Sequence, residues 1–199
     1  MSNYRKDLFE TTVFKNRGAL LSIPAAALAT FGRPSAASIA VGLPVALAGE
    51  ALRCWAVGYS GVTTRDDKVT APELVTAGPY AHVRNPLYVG NFVTALGFAI
   101  AFTGRNAGVA RAALVGGSLA AMAAVYAVIV PHEEKFLRKE FGEAFDAYCL
   151  RVPPVVPQAE PAPDGRGTWN PDVIAQAETR TFVTFGAMLA VLAFKAFRP

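Results

Sequence analysis

Apolar residues fall into five long stretches, set apart by short turns and by two extended polar passages. The first, 18–31, is short and holds Pro24; counted from residue 14 it approaches the roughly 20 residues a bilayer requires. Runs at 35–59, 87–103 and 108–130 follow. Gly32-Arg33-Pro34 and Gly104-Arg105-Asn106 are tight turns between spans. The fourth run is rich in Gly, Ala and Ser (GGSLAAMAA), which predicts close helix packing there. A fifth run, 181–197, is shorter and carries Lys195, so it either crosses or lies in the interface. The pattern predicts an all-α, polytopic transmembrane bundle of about five spans. Residues 1–17 read as a surface tail, 131–152 as a cytoplasmic amphipathic helix, and 153–179 as a linker, with six prolines between 153 and 171. The whole chain, 1–199, reads as one integral membrane domain.

Composition agrees with this and adds an orientation. The chain is 53% hydrophobic and 17% charged, below the roughly 25% charged residues of a soluble domain. Lys and Arg collect in the tail (Arg5, Lys6, Lys15, Arg17), in 60–86 (Arg65, Lys68, Arg84) and in 131–179 (Lys135, Arg138, Lys139, Arg151, Arg166). The opposite turns offer Arg33 and Arg105, with Arg111 just inside the fourth span. The positive-inside rule therefore places both polar passages on the cytoplasmic face of an inner membrane, with Lys195 and Arg198 running against it. No nucleic-acid motif is present, and Cys54 and Cys149 fit neither a disulfide framework nor a metal cluster. The N-terminal residues show no signal-peptide pattern.

The first polar passage is LVTAGPYAHVRNPLYVGN, from Leu74 to Asn91. Gly78-Pro79 and Asn85-Pro86 punctuate it, and each Pro pushes its predecessor out of the helical region. Tyr80, His82, Arg84, Asn85 and Tyr88 gather hydrogen-bonding groups at the mouth of the third span. Free N–H groups at that helix start, together with Arg84, favour an anion. An interfacial loop with an Arg anchor would use the same residue types.

The second passage begins PHEEKFLRKEFGEAFDAYCLRVP at Pro131. At helical spacing Leu137, Phe141, Phe145 and Tyr148 share a face, and Glu133 begins that stripe. A carboxylate on such a face needs a partner. Glu134 and Arg138 are spaced for an i,i+4 pair. Gly142 predicts either close packing or a bend. Arg151 precedes Val152-Pro153-Pro154, which predicts an extended backbone and a side chain presented where an amphipathic molecule would enter. In the second span Glu50 and Arg53 stand i,i+3 in an apolar setting. They either fix helix packing or bring Arg53 to the wall of a binding cavity.

These two passages resemble the isoprenylcysteine carboxyl methyltransferase family and, more loosely, the phospholipid N-methyltransferases. The resemblance runs over about 72–154, within a family core of about 35–157, and LRCWA at 52–56 resembles a weaker feature. It implies an integral membrane enzyme that uses S-adenosylmethionine and needs no metal. Leu74, Val75, Tyr80, Asn85, Pro86 and Tyr88 match the cofactor-contacting loop, and Glu133 and Glu134 match its acidic pair. Gly78, His82 and Arg84 in the same loop complete the candidate cofactor-binding set. Arg151 matches an arginine important for transfer and substrate placement; with Glu133 it forms the candidate catalytic pair, and with Arg53 and Tyr148 the candidate acceptor site. Two departures bear on the acceptor: Asn85 replaces the usual His, and Phe145 replaces a Tyr.

A sulfonium methyl is electrophilic, so such an enzyme must chiefly align donor and acceptor and exclude water. The acceptor is then a small or lipid-like amphiphile offering a carboxylate, thiol or amine. Two other readings use the same sequence: a sterol-reductase-like oxidoreductase with a nicotinamide cofactor, and a non-catalytic membrane scaffold.

Overall fold

The computed structural model describes residues 2–61 and 71–197, with side chains from Asp7 onward. Arg65, Lys68 and Arg198, and the side chains of Arg5 and Lys6, lie outside the described residues. Seven α-helices and no strand occur among the described residues: α1 (Ser2–Lys15), α2 (Arg17–Phe31), α3 (Ala36–Ser60), α4 (Pro86–Phe102), α5 (Gly108–Phe141), α6 (Glu143–Arg151) and α7 (Asp172–Phe197). The protein is an all-α membrane helix bundle. α3, α5 and α7 are long and apolar enough to cross a bilayer, and α2 and α4 are shorter apolar helices.

Three boundaries differ from the sequence reading. The fourth span and the first half of the expected 131–152 helix are one 34-residue helix, α5, with Pro131 inside it. Proline removes one backbone donor, a loss that a long helix in a membrane protein absorbs through its surroundings. The break falls instead at Gly142, whose φ is 51° and around which a Cβ would meet nothing, so its role is a bend and not close packing. α7 begins at Asp172, inside the stretch read as linker, and reaches 26 residues.

The chain divides into two compact units, with α3, α4, α5 and α7 each supplying residues to both. One unit comprises 17–51, 90–125 and 180–199. Its core is Leu28, Ala46, Phe98, Phe102, Phe185, Met188 and Leu192 with small alanines between them, and the Phe98 and Phe185 rings lie 4.9 Å apart. α3 and α4 meet there along a seam of small residues. A Cβ on Gly42 would strike the Gly97 carbonyl, one on Gly97 the Ala46 amide, and one on Gly49 the Thr94 amide. Close packing was expected from the glycines of the fourth span, yet Gly116 and Gly117 have nothing within 4 Å of such a Cβ. Glycine content alone does not say which helix pair uses it. Lys195 donates to the carbonyls of Thr30 and Gly32 at 3.0 Å each, so the cation in the last span caps the C-terminal end of α2.

The other unit comprises 1–16, 52–89 and 126–179 and holds the polar groups discussed next. α1 is tied to α5 by Lys135 to Asp7 at 2.9 Å and by His132 near Glu10 at 3.5 Å. Phe145, Tyr148 and Val152 form one buried cluster in it, with Leu74, Leu137, Phe141 and Ala162 packed against them. Phe145 and Tyr148 of α6 are thus buried within protein, and Leu137 and Phe141 of α5 pack against them.

Candidate functional site

The loop before α4 folds as its prolines require. Gly78, with φ 59°, opens a short 3-10 turn (Gly78–Ala81) in which Pro79 is buried. Any side chain at Gly78 would run into the Tyr59 ring. Asn85 then precedes Pro86, the first residue of α4.

Arg84 holds the loop to the second passage. Its Nε and Nη2 donate to the Glu134 carboxylate at 2.9 and 3.1 Å, and its Nη1 donates to the Val152 carbonyl at 2.6 Å. Both charged partners are largely buried. Asn85 Nδ2 reaches Glu134 at 3.3 Å and the Pro154 carbonyl at 3.0 Å. The anion expected at the mouth of α4 is therefore supplied from within, by Glu134. Arg138 pairs with Asp146 at 2.7 Å, so the i,i+4 partner expected for Glu134 is engaged across the Gly142 bend.

One turn along α4, the Tyr88 hydroxyl donates to Glu133 at 2.6 Å, and its ring lies 4.5 Å from that of Tyr126. Glu133 is half-buried and thus has the partner its position demands. Tyr148 donates to the Tyr80 carbonyl at 2.7 Å, joining α6 to the 3-10 turn. Burial pushes the Tyr80 hydroxyl up to about 12, against a smaller downward pull from its hydrogen bond with Ser60. Burial likewise raises the Tyr148 hydroxyl and the Cys149 thiol. All three groups keep their protons at neutral pH, so they serve as donors or apolar surface and not as bases.

The stretch after α6 also belongs to this unit. The His82 carbonyl accepts from the Gln158 amide at 3.0 Å, and the His82 ring nitrogen Nδ1 lies 3.0 Å from the Gln158 carbonyl. Thr76 and Ala77 donate their amides to the Arg166 carbonyl at 2.9 and 3.0 Å. The Arg166 amide returns a bond to the Thr76 hydroxyl at 2.9 Å. Residues 153–171 are therefore laid along the loop by hydrogen bonds. The proline count suggested linker behaviour because composition does not reveal which carbonyls lie opposite.

Arg151 is the last residue of α6; its backbone is helical, and extension begins at Val152 with φ −126° and ψ 127°. Its side chain is exposed and lines an open cavity of about 280 Å³ with Leu74, Thr76, Ala144, Ala147, Tyr148, Asp164 and Arg166. Val75 lies beside this wall, against Gly167. Arg53, read as an acceptor-site residue, is buried, and its Nη2 meets both oxygens of Glu178 in α7 at 2.8 and 2.9 Å. Glu178 is fully buried. The sequence reading missed Glu178, Asp164 and Arg166. The first lay beyond the resemblance, and the other two stood in the supposed linker, where only the glycines flanking Arg166 hint at a fixed turn.

A model of the family described as phospholipid methyltransferase matches residues 37–144, more than half of the chain. The chain belongs to the phospholipid methyltransferase family. The family match covers α3, the loop, α4, α5 and the start of α6, and thus both sides of the Arg84–Glu134 fork. Relatives include the nickel-cobalt-cadmium resistance protein NccN of Alcaligenes xylosoxydans xylosoxydans, 36% identical over 43% of this chain and 37% of its own length. The cobalt-zinc-cadmium resistance protein CzcN of Cupriavidus metallidurans is 37% identical over 49% of this chain and 41% of its own. Protein-S-isoprenylcysteine O-methyltransferase B of Arabidopsis thaliana is 31% identical over 58% of this chain and 57% of its own. The chain thus spans well under two thirds of the length of each of these relatives. No solved structure matches. Among the described residues, no group of three or more His, Cys, Asp or Glu side chains could hold a metal ion.

Proposed function

We propose that this phospholipid methyltransferase family member transfers a methyl group from S-adenosylmethionine to an amphipathic acceptor, at the cytoplasmic face of an inner membrane. The observation that carries the reading is the double tie of Arg84 to Glu134 and Tyr88 to Glu133, which joins two passages far apart in sequence. An intact fork between a loop arginine and a helix carboxylate fixes geometry more tightly than either charge alone.

The residues present fit the cofactor's chemistry. Its sulfonium and ammonium are cationic, and Glu133 offers a half-buried carboxylate already oriented by Tyr88. Its adenosine needs apolar walls and a few polar edges, which Leu74, Val75, Tyr80 and the loop carbonyls provide. When bound, the group supplies an electrophilic methyl carbon on sulfur. The chain's own contribution is placement. Arg84, Asn85, Pro86 and Glu134 hold the loop, Gly78 admits its turn, His82 is locked to Gln158, and Tyr148 supports the Tyr80 backbone. Arg151, an exposed cation on the cavity, is assigned to the acceptor. Arg53, engaged by Glu178 and at 3.4 Å from the Leu87 carbonyl, is assigned to holding the loop's exit into α4.

The test is methyl transfer from labelled S-adenosylmethionine to amphiphiles that differ only in bearing a carboxylate, thiol or amine. Binding of S-adenosylhomocysteine to the purified protein is measured beside it. Saturable transfer to one class with micromolar-range binding supports the proposal. Stabilisation by a reduced nicotinamide cofactor in its place, or no response to either molecule, overturns it.

A further inference from the structure

Of the residues lining the cavity at the end of α6, the family match includes Leu74, Thr76 and Ala144. That match ends at 144, whereas Asp164 and Arg166 come from the stretch between α6 and α7. This wall is built and not accidental. The Arg166 backbone makes three hydrogen bonds here: its carbonyl accepts from the Thr76 and Ala77 amides, and its amide donates to the Thr76 hydroxyl. The residues on either side admit only glycine. A Cβ on Gly165 would come within 2.9 Å of the Ala77 Cα, and Gly167 has a φ of 116°, where a side chain is strained. The backbone of one arginine is thus pinned on both sides while its side chain remains exposed on the cavity. Arg151 reaches the same cavity from α6, and the remaining lining is Thr76, whose hydroxyl accepts from the Arg166 amide, with Leu74, Ala144, Ala147 and Tyr148. Two guanidinium groups over an apolar floor suit an amphiphile whose polar end is anionic, since each can offer a planar fork to a carboxylate or phosphate. Asp164 also lines the cavity, so two cations and one carboxylate leave the lining with a net positive charge.

We propose that Arg166, carried on the Asp164–Gly167 turn, is a specificity-determining residue that pairs with Arg151 to select an acceptor bearing an anionic group. This rests on the methyltransferase reading for its meaning in catalysis, but the binding claim stands or falls separately.

The experiment titrates octanoate and its neutral counterpart octanamide into the full chain in nanodiscs of zwitterionic lipid, with empty nanodiscs subtracted. The wild type is expected to prefer octanoate by at least tenfold. Arg166→Gln is expected to abolish most of that preference and leave octanamide affinity unchanged. Gly167→Ala keeps the charge but strains the turn, and is expected to lose the preference in the same direction. S-adenosylhomocysteine affinity is expected to stay within twofold in Arg166→Gln, and Gly167→Ala, whose Cβ would press on Val75, is read on the octanoate preference alone. Equal binding of the two amphiphiles by the wild type overturns the proposal. So does retained preference in Arg166→Gln, or a loss of S-adenosylhomocysteine binding, which would assign the arginine to the cofactor. Absence of S-adenosylhomocysteine binding in the wild type, with the octanoate preference intact, would refute the methyltransferase reading and leave the anion site standing.

Discussion

The two compact units of this chain are held by opposite means although the same helices run into both. The unit of 17–51, 90–125 and 180–199 is joined by surfaces: a glycine seam between α3 and α4 and a cluster of phenylalanines. The unit of 1–16, 52–89 and 126–179 is joined by charges and hydrogen bonds: Arg53 to Glu178, Arg84 to Glu134, Tyr88 to Glu133 and Lys135 to Asp7. In lipid, van der Waals fit between close backbones suffices to associate helices. Where a ligand is to be held, polar groups must be present, and each must be partnered before the unit is stable. The contrast separates a part held by close packing from a part held by partnered polar groups.

That contrast can be broken from the polar side first. Glu178→Ala leaves Arg53 buried without its carboxylate, a change that costs ~3–5 kcal/mol in comparable buried pairs. We expect a large drop in thermal stability in detergent, with partial recovery in the Arg53→Met, Glu178→Leu double variant. No drop would mean that the pair is solvated. Next comes the seam. Gly97→Val forces a branched side chain into the Ala46 backbone and is expected to cost ~1–3 kcal/mol, as overpacking does. The matched change Gly117→Val, in open surroundings, should cost far less, and equal effects would dissolve the distinction between seam and surface.

Arg84→Lys keeps a charge near Glu134 but loses the fork and the bond to the Val152 carbonyl. A loss of ~1.5–3 kcal/mol is expected for charge-assisted bonds of this kind, read as weakened S-adenosylhomocysteine binding in calorimetry. Arg151→Lys acts on transfer alone: turnover should fall about tenfold, or ~1.4 kcal/mol of transition-state stabilisation, with S-adenosylhomocysteine affinity little changed. Near-normal turnover would mark Arg151 as a membrane anchor that lysine replaces. Smallest is Gly142→Ala, at a φ of 51° with open space around it. Only the backbone conformation is penalised, so ~1 kcal/mol of stability is expected, measured by denaturant unfolding.

What could be read from the sequence follows the same division. Spans announce themselves by hydropathy, and four of the five apolar stretches begin within a few residues of their helices. The boundary read at 130–131 follows the change from apolar to charged residues, whereas α5 continues past it to Phe141. The pairing of loop and helix was legible as a need: Glu133 on an apolar stripe had to meet a partner. Its identity as Tyr88 was not, because local spacing carries no information about a residue 45 positions away. Arg53 makes the same point more sharply. Spacing pointed to Glu50 and gave no sign of Glu178, whose carboxylate accepts from the Arg53 guanidinium from 125 residues away, in the stretch read as linker.

That last contact has a consequence for how the chain can be cut. The family match stops at 144, and a fragment ending near 157 would look sufficient by alignment. Such a fragment would lose the Glu178 carboxylate from Arg53 and the Arg166 turn from Thr76 and Ala77. Residues 153–179 are therefore tied to the loop and to α3 by hydrogen bonds and an ion pair. Shuffling of domains, whether by recombination or at the bench, would have to carry 144–179 along with the matched core or accept a loop without its outer wall.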